Sequence, residues 1–125
     1  MGFNRIISKL CTMPRLERIL FKSEQPKLTI TIKAVINDNA LGVIGHDSGE
    51  IVKGIKGQTG YLYEVWTQDN SLELFMQKLS VAEGINFDPE TLMDWLAKNY
   101  NTENADTEIG KLLETHGIRV GWFFD

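Results

Sequence analysis

The chain has 125 residues, 42% apolar and 24% charged, with a formal net charge of −4. These proportions exclude a disordered or fibrous class, and the length fits one compact domain that buries roughly two thirds of the surface its unfolded chain exposes. One cysteine, Cys11, cannot form an intramolecular disulfide and points to a reducing, cytoplasmic setting, and no apolar run approaches the roughly 20 residues of a membrane span.

The charge is divided by position. Residues 1–33 hold seven Lys/Arg against two Glu, and residues 34–125 hold six against fifteen Asp/Glu. Such asymmetry speaks about partners more than about chemistry. Residues 1–22 are basic and faintly resemble a transit segment, but their apolar stretch is too brief for a secretory leader, and they are read here as part of the mature chain. Phe3, Ile6, Ile7 and Leu10 recur at helical spacing, as do Leu16, Ile19 and Leu20 beyond Thr12-Met13-Pro14. The spacing predicts two short helices, with Pro14 in a first turn where its missing N–H costs nothing.

Residues 27–37 alternate, with Leu28, Ile30, Ile32, Ala34 and Ile36 on one face, and form the clearest predicted strand. Turn chemistry at Asp38-Asn39, Asp47-Ser48-Gly49 and Gly57-Gln58-Thr59-Gly60 separates three further β-compatible segments, 40–46, 50–56 and 61–67. Together they predict a four-stranded antiparallel meander over 27–67. Gly42, Gly45 and Gly54 fall inside these segments, where glycine signals a bulge or a close approach by other atoms.

Helical period returns with Leu72, Phe75, Met76 and Leu79, where Asn70 and Glu73 can form a capping box and Gly84 a stop. Asp88-Pro89-Glu90 is a stronger start signal, placing a cap, a first-turn proline and an acid at the positive end of the helix dipole. Leu92, Trp95, Leu96 and Tyr100 supply that helix's apolar side, and Ile109, Leu112 and Leu113 supply a last helix ending at Gly117. Ile118, Val120, Trp122 and Phe124 share one face of a closing strand. The expected fold is therefore a single α+β domain over 1–125: short N-terminal helices, the meander, an acidic helical part over 70–116, and a strand over 118–124 that joins the sheet.

The candidate chemistry is sparse. Gly49 to Lys56 has the glycine spacing of a phosphate-binding loop but places Ile55 where a lysine must follow, and no dinucleotide-binding glycine pattern occurs. His46, Asp47 and Ser48 have the residue types of a nucleophilic triad, yet adjacent residues cannot aim at one another as that mechanism requires. With His46 and His116 far apart and one cysteine, no metal site and no cofactor is expected. His116 suits a helix C-terminus, and Cys11 suits a structural role.

Tyr61 and Tyr63 share one face of their strand and Trp66 takes the other, so core packing is the plainest role for them. An alternative is a platform for a flat, nucleotide-like small molecule at Lys56, Tyr63 and Trp66. Nucleic acid is not an expected partner, because no dense Lys/Arg stripe accompanies these aromatics.

Of the seventeen acids, Glu83, Asp88, Glu90, Asp94 and Glu108 are the leading candidates for a surface that meets a basic patch on another protein, although solvated helix faces and helix caps account for such residues equally simply. The expected function is that of a non-enzymatic binding protein that neutralises a protein target, such as a toxin-immunity protein or a phage-type inhibitor of a nucleic-acid-processing enzyme. A small-ligand binder is the alternative, and an enzyme built on His46 and Asp47 is the weakest reading. The basic N-terminal segment either docks on the sheet, attaches to a membrane surface or forms a second binding site.

Overall fold

The strand over residues 28–37 forms because its apolar side chains alternate, and it becomes the second strand of a five-stranded antiparallel sheet. In chain order, this computed structural model contains β1 (Leu16–Gln25), β2 (Leu28–Asn37), β3 (Ala40–Ser48), α1 (Glu50–Lys56), β4 (Gly60–Thr67), α2 (Leu72–Glu83), α3 (Pro89–Asn99), α4 (Ala105–Thr115) and β5 (Val120–Phe124). The structure describes residues 15–56 and 60–124, and the helix expected over Phe3–Leu10, with Cys11, lies outside them. Spatial order follows sequence order, β1-β2-β3-β4-β5, so the sheet is an antiparallel meander in an α+β fold.

Two expected elements change type. Residues 16–22 are strand rather than helix. Leu16 lies opposite Ile36, Arg18 opposite Ala34 and Phe21 opposite Ile32, with a register shift between Ile19 and Phe21. The bulge turns Leu20 into the core beside Phe21, and the inward position at 18 holds an arginine. Together these break the period of two and leave Leu16, Ile19 and Leu20 at a helix-like spacing.

Residues 50–56 are helix rather than strand. Gly49 adopts a φ of 117°, Glu50 sits in the first helical turn, and the Lys53 N–H donates to the Gly49 carbonyl. A bond from the Ile51 N–H to the Lys27 carbonyl ties α1 to the β1–β2 turn, and Val52 is buried. The fourth meander strand is thus supplied by β1, and β3 pairs directly with β4 across the α1 connection.

Other junctions follow local chemistry. Asp38 turns the two-residue β2–β3 hairpin with a φ of 56°. Asn39 beside it performs the capping expected of Asn70. Its Oδ1 accepts from the Glu73 N–H at 3.1 Å, its carbonyl from the Leu72 N–H, and its Nδ2 donates to the Asn70 carbonyl. The cap residue itself, Ser71, makes no side-chain capping bond. Helix α3 starts as its sequence dictates, with Asp88 accepting from the Thr91 N–H at 2.8 Å and Pro89 at the first position. Gly84 ends α2 in the left-handed region, and β5 closes the sheet against β4.

The helices cover one face of the sheet. Ile32, Ala34, Ile36, Leu41, Val43 and Val65 from the strands pack with Leu72, Phe75, Leu79, Leu92, Leu96, Ile109 and Leu113 from the helices. Full burial of each large aliphatic or aromatic side chain contributes roughly 1.5–3 kcal/mol. Val35, on the opposite face, is also fully buried but lies outside that cluster. No helix among the described residues is long and apolar enough to cross a membrane.

The close approach anticipated at Gly42 and Gly45 is present on both faces of β3. Tyr63, directly opposite Gly45, lies across it on the helix side, and Trp66, directly opposite Gly42, lies across it on the other. A Cβ at Gly45 would fall 1.9 Å from the Tyr63 ring, and one at Gly42 2.5 Å from the Trp66 indole. Gly54, in α1, has open space around it. Gly45→Ala is therefore expected to destabilise the fold by about 1–3 kcal/mol through overpacking. Gly54→Ala should stabilise it by up to about 1 kcal/mol through helix propensity. Urea unfolding midpoints of the two variants against the parent chain check both signs.

Candidate interaction surfaces

The acidic helical part brings its carboxylates to the surface but employs several of them internally. Residues 70–116 hold nine Asp/Glu against three Lys. Asp88 is spent as the α3 cap, and the Thr91 N–H holds its carboxyl below the ordinary value. Glu90 and Asp94, one turn apart on α3, converge on one guanidinium group, with Arg18 Nη2 at 3.0 and 2.8 Å. Arg18 starts on the helix-covered face of β1, opposite Ala34, and reaches outward to α3. Its Nε is buried without a hydrogen-bond partner. Both carboxylates remain largely solvated, at 65% and 72% exposure.

Glu83 and Glu108 are gathered elsewhere, around Tyr100. Burial pushes the Tyr100 hydroxyl up, and the charges of Glu108 and Glu83 push it further. Glu108 also accepts from the Thr102 hydroxyl at 2.8 Å. The five acids singled out in the sequence therefore fall into two patches, one on α3 beside Arg18 and one about Tyr100.

Beneath the N-terminus of α4 lies a polar cluster that the sequence did not disclose. The Tyr63 hydroxyl donates to Asp47 Oδ1 at 2.8 Å, and the Tyr61 ring sits 5.7 Å from that of Tyr63. Burial, followed by the bond to Asp47 and its charge, drives the Tyr63 hydroxyl far above its ordinary range. Burial likewise raises the Asp106 carboxyl, and the nearby charges of Asp47 and Glu108 add to the effect, against its own backbone hydrogen bonds. Asp47 thus serves Tyr63. His46, its neighbour in β3, points to the opposite face and is exposed. No group of three His, Cys, Asp or Glu among the described residues could hold a metal ion.

The face of the sheet away from the helices holds the second set of predicted residues. Trp66 lies over Gly42, and its indole N–H donates to Glu64 Oε1 at 2.6 Å, which fixes the ring. Glu64, Trp66, Gln68 and Phe123 line an open hollow of about 390 Å³. Tyr63 is on the other face and does not join Trp66 in that hollow, and the Lys56 side chain lies outside the described residues. His116 caps the C-terminal end of α4 and sets its ring edge-on to Phe75 at 5.9 Å, while its carbonyl accepts from Lys78 Nζ.

One surface escaped the sequence reading. In β5, Trp122, Phe123 and Phe124 are 38%, 54% and 65% exposed. Trp122 packs against Gly110 of α4 and stacks on Phe124, with planes 6° apart. Alternation marked Trp122 and Phe124 as members of one apolar face, but only the strand order reveals that this face ends at the sheet's edge.

No protein-family model matches the chain, and no curated protein or solved structure shows significant similarity to it.

The cluster beneath α4 has a pH signature. The folded pKa of Asp106 lies above its unfolded value, so the fold disfavours the charged carboxylate. Its contribution is most favourable below the unfolded value near 3.9 and is lost as pH rises through the folded one. Asp106→Asn is expected to raise the urea midpoint at pH 7, and the advantage should shrink as pH falls through that window. An equal gain at pH 7 and pH 3 would remove Asp106 ionisation as its cause.

Proposed function

We propose that this chain is a non-enzymatic binding protein that neutralises a protein target with a basic surface, in the manner of a toxin-immunity protein or a phage-type inhibitor of a nucleic-acid-processing enzyme. The observation that carries the reading is the outward display of carboxylates on the helical layer. Glu83, Glu90, Asp94 and Glu108 are all exposed, and the one arginine at the α3 pair is shared between two acids, so that pair keeps a net negative charge. Arg18 also holds Glu90 and Asp94 in place, which lowers the ordering cost of engaging a cationic partner. Exposed carboxylates of this kind steer encounter and set orientation more than they add affinity. The reading requires no catalytic constellation, and a reducing cytoplasmic setting suits a chain with a single thiol.

The informative substitutions are those that leave Arg18 alone. Reversing Glu90 or Asp94 would set a lysine against that guanidinium, whereas Glu83 makes no ion pair with it. With a partner captured on the immobilised chain and identified by mass spectrometry, Glu83→Lys combined with Glu108→Lys is expected to slow association roughly tenfold at low salt, the difference fading as salt screens it. An association rate unchanged at every ionic strength would remove this surface from the interface.

A second reading, a small-molecule binder, is favoured by the hollow at Glu64, Trp66, Gln68 and Phe123. An indole fixed by Glu64 beside an exposed phenyl ring offers a flat ligand two aromatic walls. Native mass spectrometry of freshly purified protein should then show a bound small molecule that Trp66→Ala releases. A ligand-free spectrum would leave the hollow without a role in recognition.

A further inference from the structure

We infer that the hollow between β4 and β5 is a site for a small planar cation, a molecule of the amidinium or guanidinium class with N–H donors along its polar edge. The inference rests on the second reading above, that this hollow takes a small molecule, and adds the chemistry of that molecule.

The hollow exists because two glycines flank one tryptophan. Trp66 pairs with Gly42 of β3 on one side and with Gly121 of β5 on the other. Three indole carbons stand 2.5 to 2.6 Å from where a Gly42 Cβ would be, so the ring lies across that glycine and turns its second face outward. No side chain rises from Gly121 to meet it. The Gln68 amide and the Phe123 ring lean over Gly121 instead, at 2.7 and 3.3 Å from where its Cβ would be. Glu64, directly opposite Phe123, completes the lining of a space of about 390 Å³, which is at the small end of ligand-sized pockets.

The polar groups of this lining are one-sided. The Trp66 indole N–H, that side chain's only donor, is spent on Glu64 Oε1 at 2.6 Å, and Gln68 Nε2 donates to the Trp66 carbonyl at 3.2 Å. Neither Glu64 Oε2 nor Gln68 Oε1 accepts a hydrogen bond from another described residue. What faces a ligand is therefore chiefly acceptors, two oxygens against one remaining amide N–H.

Charge points the same way. Glu64 makes no ion pair among the described residues, and no Lys or Arg is among the residues that line the hollow. Arg119, just ahead of β5, is held by Asp69 at 3.4 Å. An anionic ligand such as a nucleotide would meet an unneutralised carboxylate. A planar cation gains at two points: a charge-assisted hydrogen bond to Glu64, and the face of the indole, whose quadrupole attracts positive charge. The Phe123 ring, 54% exposed, offers its flat body a further apolar wall.

Benzamidine, benzamide and benzoate test this, because they share one shape and differ in charge and in donors. Each is titrated into ¹⁵N-labelled protein and followed through one of the three indole N–H signals, the one that Trp66→Phe removes. Benzamidine should shift that signal with a Kd in about the millimolar range, as befits so small a fragment. Benzamide should bind at least about tenfold more weakly and benzoate more weakly still. Glu64→Gln keeps an acceptor for the indole N–H but removes the charge, and should cut the preference for benzamidine to about threefold or less. Circular dichroism checks that both variants are folded. Equal affinity for benzamidine and benzamide, or a preference unchanged in Glu64→Gln, overturns the cationic class and leaves a small-molecule site standing. No response to any of the three up to about 20 mM overturns the proposal together with the reading it rests on. An end-blocked Gly-Arg-Gly peptide that binds at least about tenfold more tightly than benzamidine also overturns it, by assigning the hollow to an arginine of a protein partner.

Discussion

Two glycines in β3 allow two aromatic rings of β4 to lie flat across it, one on each side of the sheet. Gly45 receives Tyr63 beneath the helices and Gly42 receives Trp66 on the opposite face. Each ring fits only where the facing residue lacks a Cβ, so the pair locks the β3–β4 register against a slip of even one residue, which would exchange the two faces of a strand. Much else is hung from that register. It sets Asp47 within reach of the Tyr63 hydroxyl, sets Val65 and Thr67 into the helix-side layer, and aligns β5 through the pairing of Val65 with Trp122. The Thr67 hydroxyl, buried as a result, accepts the Leu41 N–H and ties β4 back to the start of β3.

The uneven distribution of charge along the chain acquires a structural meaning at β1. Its basic residues are largely answered nearby: Lys33 and Arg15 flank Glu17, Lys22 meets Glu24, and Arg18 reaches the two acids of α3. The Lys33 and Arg15 contacts hold the Glu17 carboxyl below its ordinary value. Solvated pairs of this kind contribute little to stability, typically under about 1 kcal/mol each. Their effect is on specificity, orienting α3 along β1 and leaving the remaining helical carboxylates unneutralised. The acidic surface is therefore the residue of an internal pairing between a basic strand and an acidic helix.

Several titratable groups are used in pairs that support the fold. Asp47 accepts from Tyr63, Asp88 caps α3, Glu64 holds the Trp66 indole, and Glu108 accepts from Thr102. Among the groups left outward are carboxylates on the helices and the aromatic side chains of β5 at the sheet's far edge. The two lie on different parts of the fold.

Strand β2, the Asp38 hairpin, the Asp88-Pro89 start of α3, the Gly84 stop and the closing strand were legible because each depends on neighbours in sequence: alternation, a tolerated positive φ, a cap beside its helix. The same local logic marked Gly42 and Gly45 as points of close approach and placed Tyr63 and Trp66 on opposite faces. Only the tertiary structure could make 16–25 a strand, since its period is broken by a bulge and by Arg18, whose acids lie more than seventy residues away. It likewise supplied Asn39 as the cap of α2, made 50–56 a helix against the β1–β2 turn, joined Glu90 and Asp94 to one guanidinium, and put the aromatic β5 at an edge. Alternation records which face of a strand is apolar. Whether that strand has a neighbour, and what a distant side chain meets, is decided by how the whole sheet is ordered.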